Sequence, residues 1–279
     1  MPPVGLVLLA VSSVQIGGAL AKTVFDELGP GGTVFLRVAF AAALLGAVWR
    51  PRVTGLSRRD LGLVVLFGVS LAGMNGSFYL ALDRLPLGVA VTLEFVGPLA
   101  VAIAGSRRAL DALWVVLAAA GIVLLAGPVG AGIDAAGAFF ALLAGAFWAA
   151  YIVLSTLVGR AFEGGTGLAL AMVVASAVLV APGVLDAGEE LLDARLLALG
   201  AAVAMLSSAI PYSLELEALR RLPQRVFGVL MSLEPAVAAA AGFVVLGEVL
   251  DARELLAIAL VVTASAGATR TAEMVPRDG

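Results

Sequence analysis

The sequence predicts an all-α integral membrane protein with ten transmembrane helices, arranged as two inverted repeats of five. Three observations predict it. The composition cannot cover a water-facing surface, ten apolar runs are long enough to cross a bilayer, and one short phrase is written twice, half a chain apart.

Composition comes first. The chain has 279 residues, of which 62% are hydrophobic and 13% charged, and its mean hydropathy is +1.09. A soluble domain keeps roughly a quarter of its residues charged, so lipid must be the solvent here. The net charge of -3 argues for no nucleic-acid partner. There is no Cys and no His. That excludes disulfides, a thiolate nucleophile and a Cys- or His-based metal site, and it leaves proton chemistry to carboxylates. The sequence implies no metal and no cofactor.

A helix crosses the hydrocarbon core with about 20 apolar residues. Such runs lie near 4–25, 31–49, 60–82, 87–105, 110–128, 134–158, 166–185, 195–217, 224–247 and 252–270. Val and Leu abound, but the length of the runs argues helix over strand. The breaks carry turn chemistry, as in Gly29-Pro30-Gly31-Gly32 and Glu163-Gly164-Gly165. The first run lacks the basic flank of a secretory signal and reads as a retained span.

Basic residues orient the spans. With residue 1 inside, the inner segments collect Arg50, Arg52, Arg58, Arg59, Arg107, Arg108, Arg160, Arg220, Arg221, Arg225, Arg270 and Arg277. The outer loops collect Arg84, Arg195 and Arg253, and Lys22 and Arg37 lie within spans. This asymmetry places both termini in the cytoplasm of a bacterial inner membrane protein. The outer loops are acidic and account for the low pI.

The repeated phrase is Arg84-Leu85-Pro86, followed by Pro98, and again Arg221-Leu222-Pro223, followed by Pro235; 84 to 221 and 98 to 235 are the same offset of 137. Each copy enters an apolar run holding one carboxylate, Glu94 or Glu234. Five spans separate equivalent points. Five is odd, so the second copy is inverted, and a site at the midplane gains two possible openings. The expected units are residues 1–128 (spans one to five), 134–270 (spans six to ten) and a cytoplasmic tail, 271–279.

The chemistry rests on polar groups at depth. Glu94 lies about eight residues into its span, about 12 Å deep, and Glu234 lies near the middle of span nine. Carboxylates at that depth should face the bundle interior. Pro98 removes the amide that would bond the carbonyl of Glu94, and Pro235 does the same for Met231. A freed carbonyl beside a carboxylate suits an ammonium group or a proton; a kinked helix holding a neutral, hydrogen-bonded Glu is the plainer reading. Arg37 and Lys22 could each receive a substrate carboxylate or neutralise a Glu. Lys22 could instead snorkel to the interface. Pro98, Pro211 and Pro235 should break their helices, and Glu215, after Pro211-Tyr212, is an interfacial charge or part of a gate or proton path. Gln15 and Asn75 should line a cavity. Tyr79, Trp148, Tyr151 and Tyr212 offer an apolar face with a polar tip, and an interfacial belt is the bland reading of Tyr79 and Trp148. Gly137, Ala141, Gly145 and Ala149 recur at a spacing that lets helices approach closely. Gly17-Gly18-Ala19-Leu20-Ala21-Lys22-Thr23 ends like a phosphate loop but lacks the glycine before the lysine, so no ATP site follows.

Two runs of five spans resemble the EamA repeats of the drug/metabolite transporter superfamily. Some stretches are similar to its bacterial threonine/homoserine exporter group (RhtA-like): Ser13-Val-Gln-Ile-Gly-Gly-Ala-Leu-Ala-Lys22, Gly68-Val-Ser-Leu-Ala-Gly-Met-Asn75, the stretch from Pro86 to Pro98, Ile210-Pro-Tyr-Ser-Leu-Glu215 and Gly228-Val-Leu-Met-Ser-Leu-Glu-Pro235. The resemblance implies a ten-helix exporter of small amino acids, driven by proton antiport. It puts Gln15, Lys22, Asn75, Glu94, Tyr151, Tyr212, Glu215 and Glu234 near a central cavity. The family commonly has Gly-Glu after the fourth and ninth spans; this chain has Gly247-Glu248 after the ninth but Gly105-Ser106 after the fourth.

The expected partners are a small amino acid and the lipid bilayer, with neither nucleic acid nor ATP, and with monomer and homodimer both open. A rival reading keeps the fold and changes the cargo to a purine, a sugar derivative or a toxic compound. A membrane enzyme would need a nucleophile with its base or a metal cluster, which a chain without His or Cys does not offer.

Overall fold

The computed structural model describes residues 2–51, 56–104, 109–126, 133–219, 221–222 and 224–272. Of the residues singled out above, Arg52, Gly105, Ser106, Arg107, Arg108, Arg220, Pro223 and Arg277 lie outside these ranges, as do the side chains of Tyr212 and Arg225.

Every regular element among the described residues is helical. In chain order these are α1 (Pro3–Lys22), α2 (Phe25–Trp49), α3 (Arg58–Leu82), α4 (Leu87–Glu94), α5 (Val96–Ala104), α6 (Ala109–Ala126), α7 (Ala135–Ala161) and α8 (Thr166–Ala187). Then follow α9 (Ala194–Ala204), α10 (Ile210–Leu219), α11 (Gln224–Met231), α12 (Glu234–Ala241) and α13 (Ala252–Ala272). Seven stretches among the described residues are long and apolar enough to cross a membrane, and Leu87–Val101, Ala112–Leu125 and Ala194–Ala209 are shorter apolar helices. Many large apolar side chains point outward, among them Val123 at 71% and Val244 at 78% exposure. That surface suits lipid and not water.

Short polar residues set the helix starts. Ser57 caps α3 by accepting from the Asp60 N–H at 3.1 Å. Asp134 caps α7 through the Gly137 N–H at 2.6 Å, and Asp193 caps α9 through Arg195 and Leu196. Asp251 and Glu254 exchange backbone bonds of 2.7 and 2.8 Å at the start of α13, a reciprocal cap. Several of the loop acids that the sequence shows only as a source of low pI are therefore helix caps.

Two of the expected straight spans are broken and a third is bulged. The run 87–105 divides at Phe95 into α4 and α5, because Pro98 cannot bond the Glu94 carbonyl and fits the first turn of a new helix. The run 224–247 divides at Ser232–Leu233, just before Pro235, and ends in a π turn at Gly242–Leu246. The run 195–217 stays helical through Pro211 by widening into a π turn at Met205–Ala209, which absorbs the missing donor without a full break. At Pro211 the expected break is thus a bulge. The start of α2 is also kinked: Gly29 takes φ 64°, a left-handed conformation that favours glycine, ahead of Pro30. The Gly31 N–H then donates to Asp186 at the end of α8, at 2.8 Å.

Packing pairs α2 with α8, α3 with α7 and α8, α6 with α13, α1 with α10, and α4 with α12. One end of the bundle holds the Glu27–Arg195 ion pair, Arg84–Asp134 at 4.0 Å and the Gly31–Asp186 bond. The opposite end holds Trp49 against Gly164 and Gly165, and Gly228 against Thr269. The small-residue stripe of α7 faces the α4–α5 break. Ala141 is fully buried, and a Cβ on Gly145 would come within 2.6 Å of the Glu94 carbonyl oxygen. The carbonyl freed by Pro98 is packed against Gly145 of α7.

Candidate functional site

The helix breaks surround a cavity of about 280 Å3, at the lower edge of the ~300–1,000 Å3 usual for small-molecule sites. α1 contributes Val14, Gln15 and Gly18; α2 contributes Arg37; α3 contributes Met74, Asn75, Phe78 and Tyr79. Val91 and Glu94 enter from α4, Trp148 and Tyr151 from α7, Ser207 from the π turn, Pro211 and Glu215 from α10, Met231 from α11 and Glu234 from α12. The lining is apolar and aromatic with a few charged groups. Such a wall orients a ligand through its polar ends.

Each charged side chain has a local reason for its place. Glu94 is the last residue of α4 and Glu234 the first of α12, so both sit where a proline interrupts a helix. They are 8% and 7% exposed, and neither makes a hydrogen bond or ion pair among the described residues. Glu215 lies one turn past Pro211 and is half-buried. Arg37 lines the same cavity from α2. Its guanidinium carbon lies 5.6 Å from the centre of the Tyr79 ring, within cation–π range, and no carboxylate among the described residues pairs with it. The cavity thus carries three carboxyl groups and one guanidinium.

Neutral groups complete the wall. Gln15 is 3% exposed and Ser207 6%, and neither side chain bonds to another described residue. Asn75 gives its amide N–H to the Leu71 carbonyl at 2.8 Å, which leaves its side-chain oxygen as an acceptor. Tyr151 stacks on Phe67 at 5.3 Å, and Trp148 meets Phe95 edge-on at 5.3 Å. Tyr79 is 1% exposed and Trp148 lines the cavity, so neither belongs to an interfacial belt. The Tyr79 phenol oxygen is buried, and nothing among the described residues accepts its proton, a situation that costs ~1–3 kcal/mol.

Lys22 lies elsewhere. Its ammonium donates to Glu248 Oε1 and to the Leu85 carbonyl, both at 2.7 Å. Glu248 Oε2 accepts from the Leu87 N–H at 2.8 Å. The cluster ties the end of α1 to the start of α4 and to the loop before α13, one turn beyond Gly18 and Val91 of the cavity wall. The sequence offers Glu248 as half of a Gly-Glu pair, but nothing in it points to a partner 226 residues away. The tight contact of Gly242 with the Glu248 carboxylate leaves no room for a Cβ there. No group of three or more Asp or Glu among the described residues forms a metal cage.

Residues 135–270 match the EamA-like transporter family. The chain is 43% identical over 278 residues to the threonine/homoserine exporter RhtA of Salmonella typhimurium LT2, spanning 99% of this chain and 94% of that protein. It is 44% identical over 272 residues to the threonine/homoserine exporter RhtA of Escherichia coli K12, spanning 96% and 92%. A protein of known crystal structure shares the fold at 21% identity, with a TM-score of 0.60 over 99% of each chain. The chain is a multi-pass membrane protein of the EamA-like transporter family, a relative of the RhtA exporters and not an enzyme.

Proposed function

We propose that this protein exports threonine, homoserine or similar small amino acids by alternating access, exchanging them for protons at the cavity between its halves. The observation that carries the reading is the cavity's charge pattern. An α-amino acid is a zwitterion, and this one cavity is lined by a guanidinium, that of Arg37, and by the carboxyl groups of Glu94, Glu215 and Glu234. The carboxylate of the cargo would lie toward Arg37 and its ammonium toward the acids. The amino-acid cargo also follows from the relatives, whose names specify threonine and homoserine.

A carboxylate that holds either a proton or an ammonium, and not both, couples the two fluxes, because only differential binding shifts a conformational equilibrium. Glu94 and Glu234 suit this role. Each stands at a helix break, is buried and makes no bond to another described residue. Export then draws on the proton gradient, with no cofactor and no ATP.

Ten spans in two inverted repeats support the alternation. Each of the ten expected runs falls on one helix or one broken helix. The contacts at the two ends agree with strict up-and-down order: Lys22, Glu27, Leu85, Asp134, Asp186, Arg195 and Glu248 gather at one end, and Trp49, Gly164, Gly228 and Thr269 at the other. Helix pairs also map onto one another under a five-span shift. The α3–α7 contact corresponds to α10–α1, and α2–α8, α4–α12 and α6–α13 each join a span to its own counterpart. With basic residues directing orientation, the Lys22–Glu248 end is periplasmic and the termini are cytoplasmic, in the inner membrane.

Efflux of labelled threonine from loaded proteoliposomes under an imposed pH gradient tests the reading. The wild-type protein should accelerate efflux when protons can flow inward. Glu94→Gln and Glu234→Gln should each abolish that acceleration. Full efflux by both variants would refute the exchange mechanism, and transport confined to dyes or purines would refute the cargo.

A further inference from the structure

Tyr79 has the largest fully buried side chain among the described residues, yet nothing among them accepts its hydroxyl proton. Native interiors leave few such groups, and each calls for an explanation. The ring cannot turn away to find an acceptor. Phe25 packs on it at 5.7 Å and Phe78 at 6.3 Å, and the Arg37 guanidinium lies over its face. Arg37 is a donor only, so it cannot accept the phenol's proton. The phenol proton and the guanidinium fork, on adjacent helices, therefore converge beside one cavity, and nothing among the described residues accepts the phenol proton.

We infer that Tyr79 and Arg37 form a carboxylate subsite, in which the phenol O–H and the guanidinium N–H groups bind the carboxylate of an α-amino acid together. This rests on the amino-acid cargo proposed above. The aromatic face aims the guanidinium without consuming its hydrogen bonds, which leaves the fork available to a planar anion. The phenol oxygen is covered in this structure. Arg37 has no ion pair with a described carboxylate and lies against the phenol, so its movement toward an arriving carboxylate would bring the hydroxyl to the same ligand. The ligand carboxylate then supplies the acceptor that the phenol proton lacks among the described residues.

The test pairs a conservative variant with a ligand that lacks the group in question. Tyr79→Phe keeps the ring and removes the hydroxyl; 1-amino-2-propanol keeps the ammonium and hydroxyl of threonine but has neither carboxylate nor carbonyl. Binding to purified protein should weaken about 10- to 100-fold for threonine and stay within about twofold for 1-amino-2-propanol. The ligand-free melting temperature of the variant should equal or exceed that of the wild type, since an unpaired buried donor is gone. A phenol that serves the fold alone would give the opposite pattern, a lower melting temperature with threonine binding unchanged, and that result overturns the subsite. Equal weakening of both ligands overturns it as well. Wild-type protein that binds neither threonine nor any other amino acid would instead refute the cargo, and the subsite with it.

Discussion

Lys22 and Arg37 are half-buried cations within the spans, and their surroundings differ. The Lys22 ammonium has two strong acceptors, Glu248 and the Leu85 carbonyl, each at 2.7 Å. Arg37 has an aromatic ring beneath it and three acids in the same cavity, with no ion pair among the described residues. From the sequence either could meet a substrate carboxylate. The structure separates them by what each has left to offer: Lys22 is committed to joining helices, while Arg37 keeps its donors. A charge already satisfied by protein gains little from a ligand, and a charge held ready by packing gains more.

The largest expected effect follows from removing the uncommitted charge. Arg37→Gln should weaken threonine binding by about 100-fold or more, because a charge-assisted pair in a dry site is lost along with its orientation. Arg37→Lys should recover only part, since an ammonium restores charge without the planar fork. Equilibrium binding across a threonine series checks both. If Arg37→Gln bound threonine as wild type does, the guanidinium would not face the cargo, and the contrast between the two cations would disappear.

A smaller effect of a different kind belongs to Lys22. Its cluster bridges the end of α1, the start of α4 and the loop before α13, one turn above the cavity, so it ties these three elements together at that end. The pair is partly shielded, at 23% and 15% side-chain exposure. Lys22→Met or Glu248→Gln should therefore lower stability by about 1–2 kcal/mol and reduce transport a few-fold while leaving threonine affinity nearly intact. The chain has no cysteine, so a single Val91→Cys probe reports access to the cavity wall. An impermeant maleimide added outside should label it faster in the Lys22→Met background. Unchanged labelling together with lost affinity would move Lys22 into the binding site.

The sequence displayed the helices well, because a bilayer imposes one length and one composition on each span. It displayed Glu94, Glu234, Gln15 and Asn75 as polar groups at depth for the same reason: lipid makes such residues conspicuous. What it could not display were partners. Glu248 reads as one more acid in an acidic loop until α1 is placed beside it. Tyr79 reads as a membrane-surface aromatic because its depth within α3 does not reveal that Phe25, Phe78 and Arg37 enclose it. The π turn at Met205–Ala209 was hidden for another reason. Its cause, Pro211, is compatible with a kink, a break or a bulge, and the choice is made by packing, including the Ser13 hydroxyl that donates to the Leu206 carbonyl at 2.7 Å.

The mildest prediction concerns a charge with a purely local task. Asp134 starts α7 by accepting the Gly137 N–H at 2.6 Å, and its contact with Arg84 at 4.0 Å is exposed on both sides. Exposed pairs of that kind contribute little, so the cap carries the effect. Asp134→Ala should lower stability by about 1 kcal/mol, and Asp134→Asn or Asp134→Ser should restore most of it, since either side chain can cap. Threonine affinity and the maleimide labelling of a Val91→Cys probe should stay as in the wild type for all three. Thermal unfolding and binding on the same samples decide the matter: a loss of affinity without a loss of stability would mean that the α7 start communicates with the cavity, through the stripe that carries Gly145 against the Glu94 backbone.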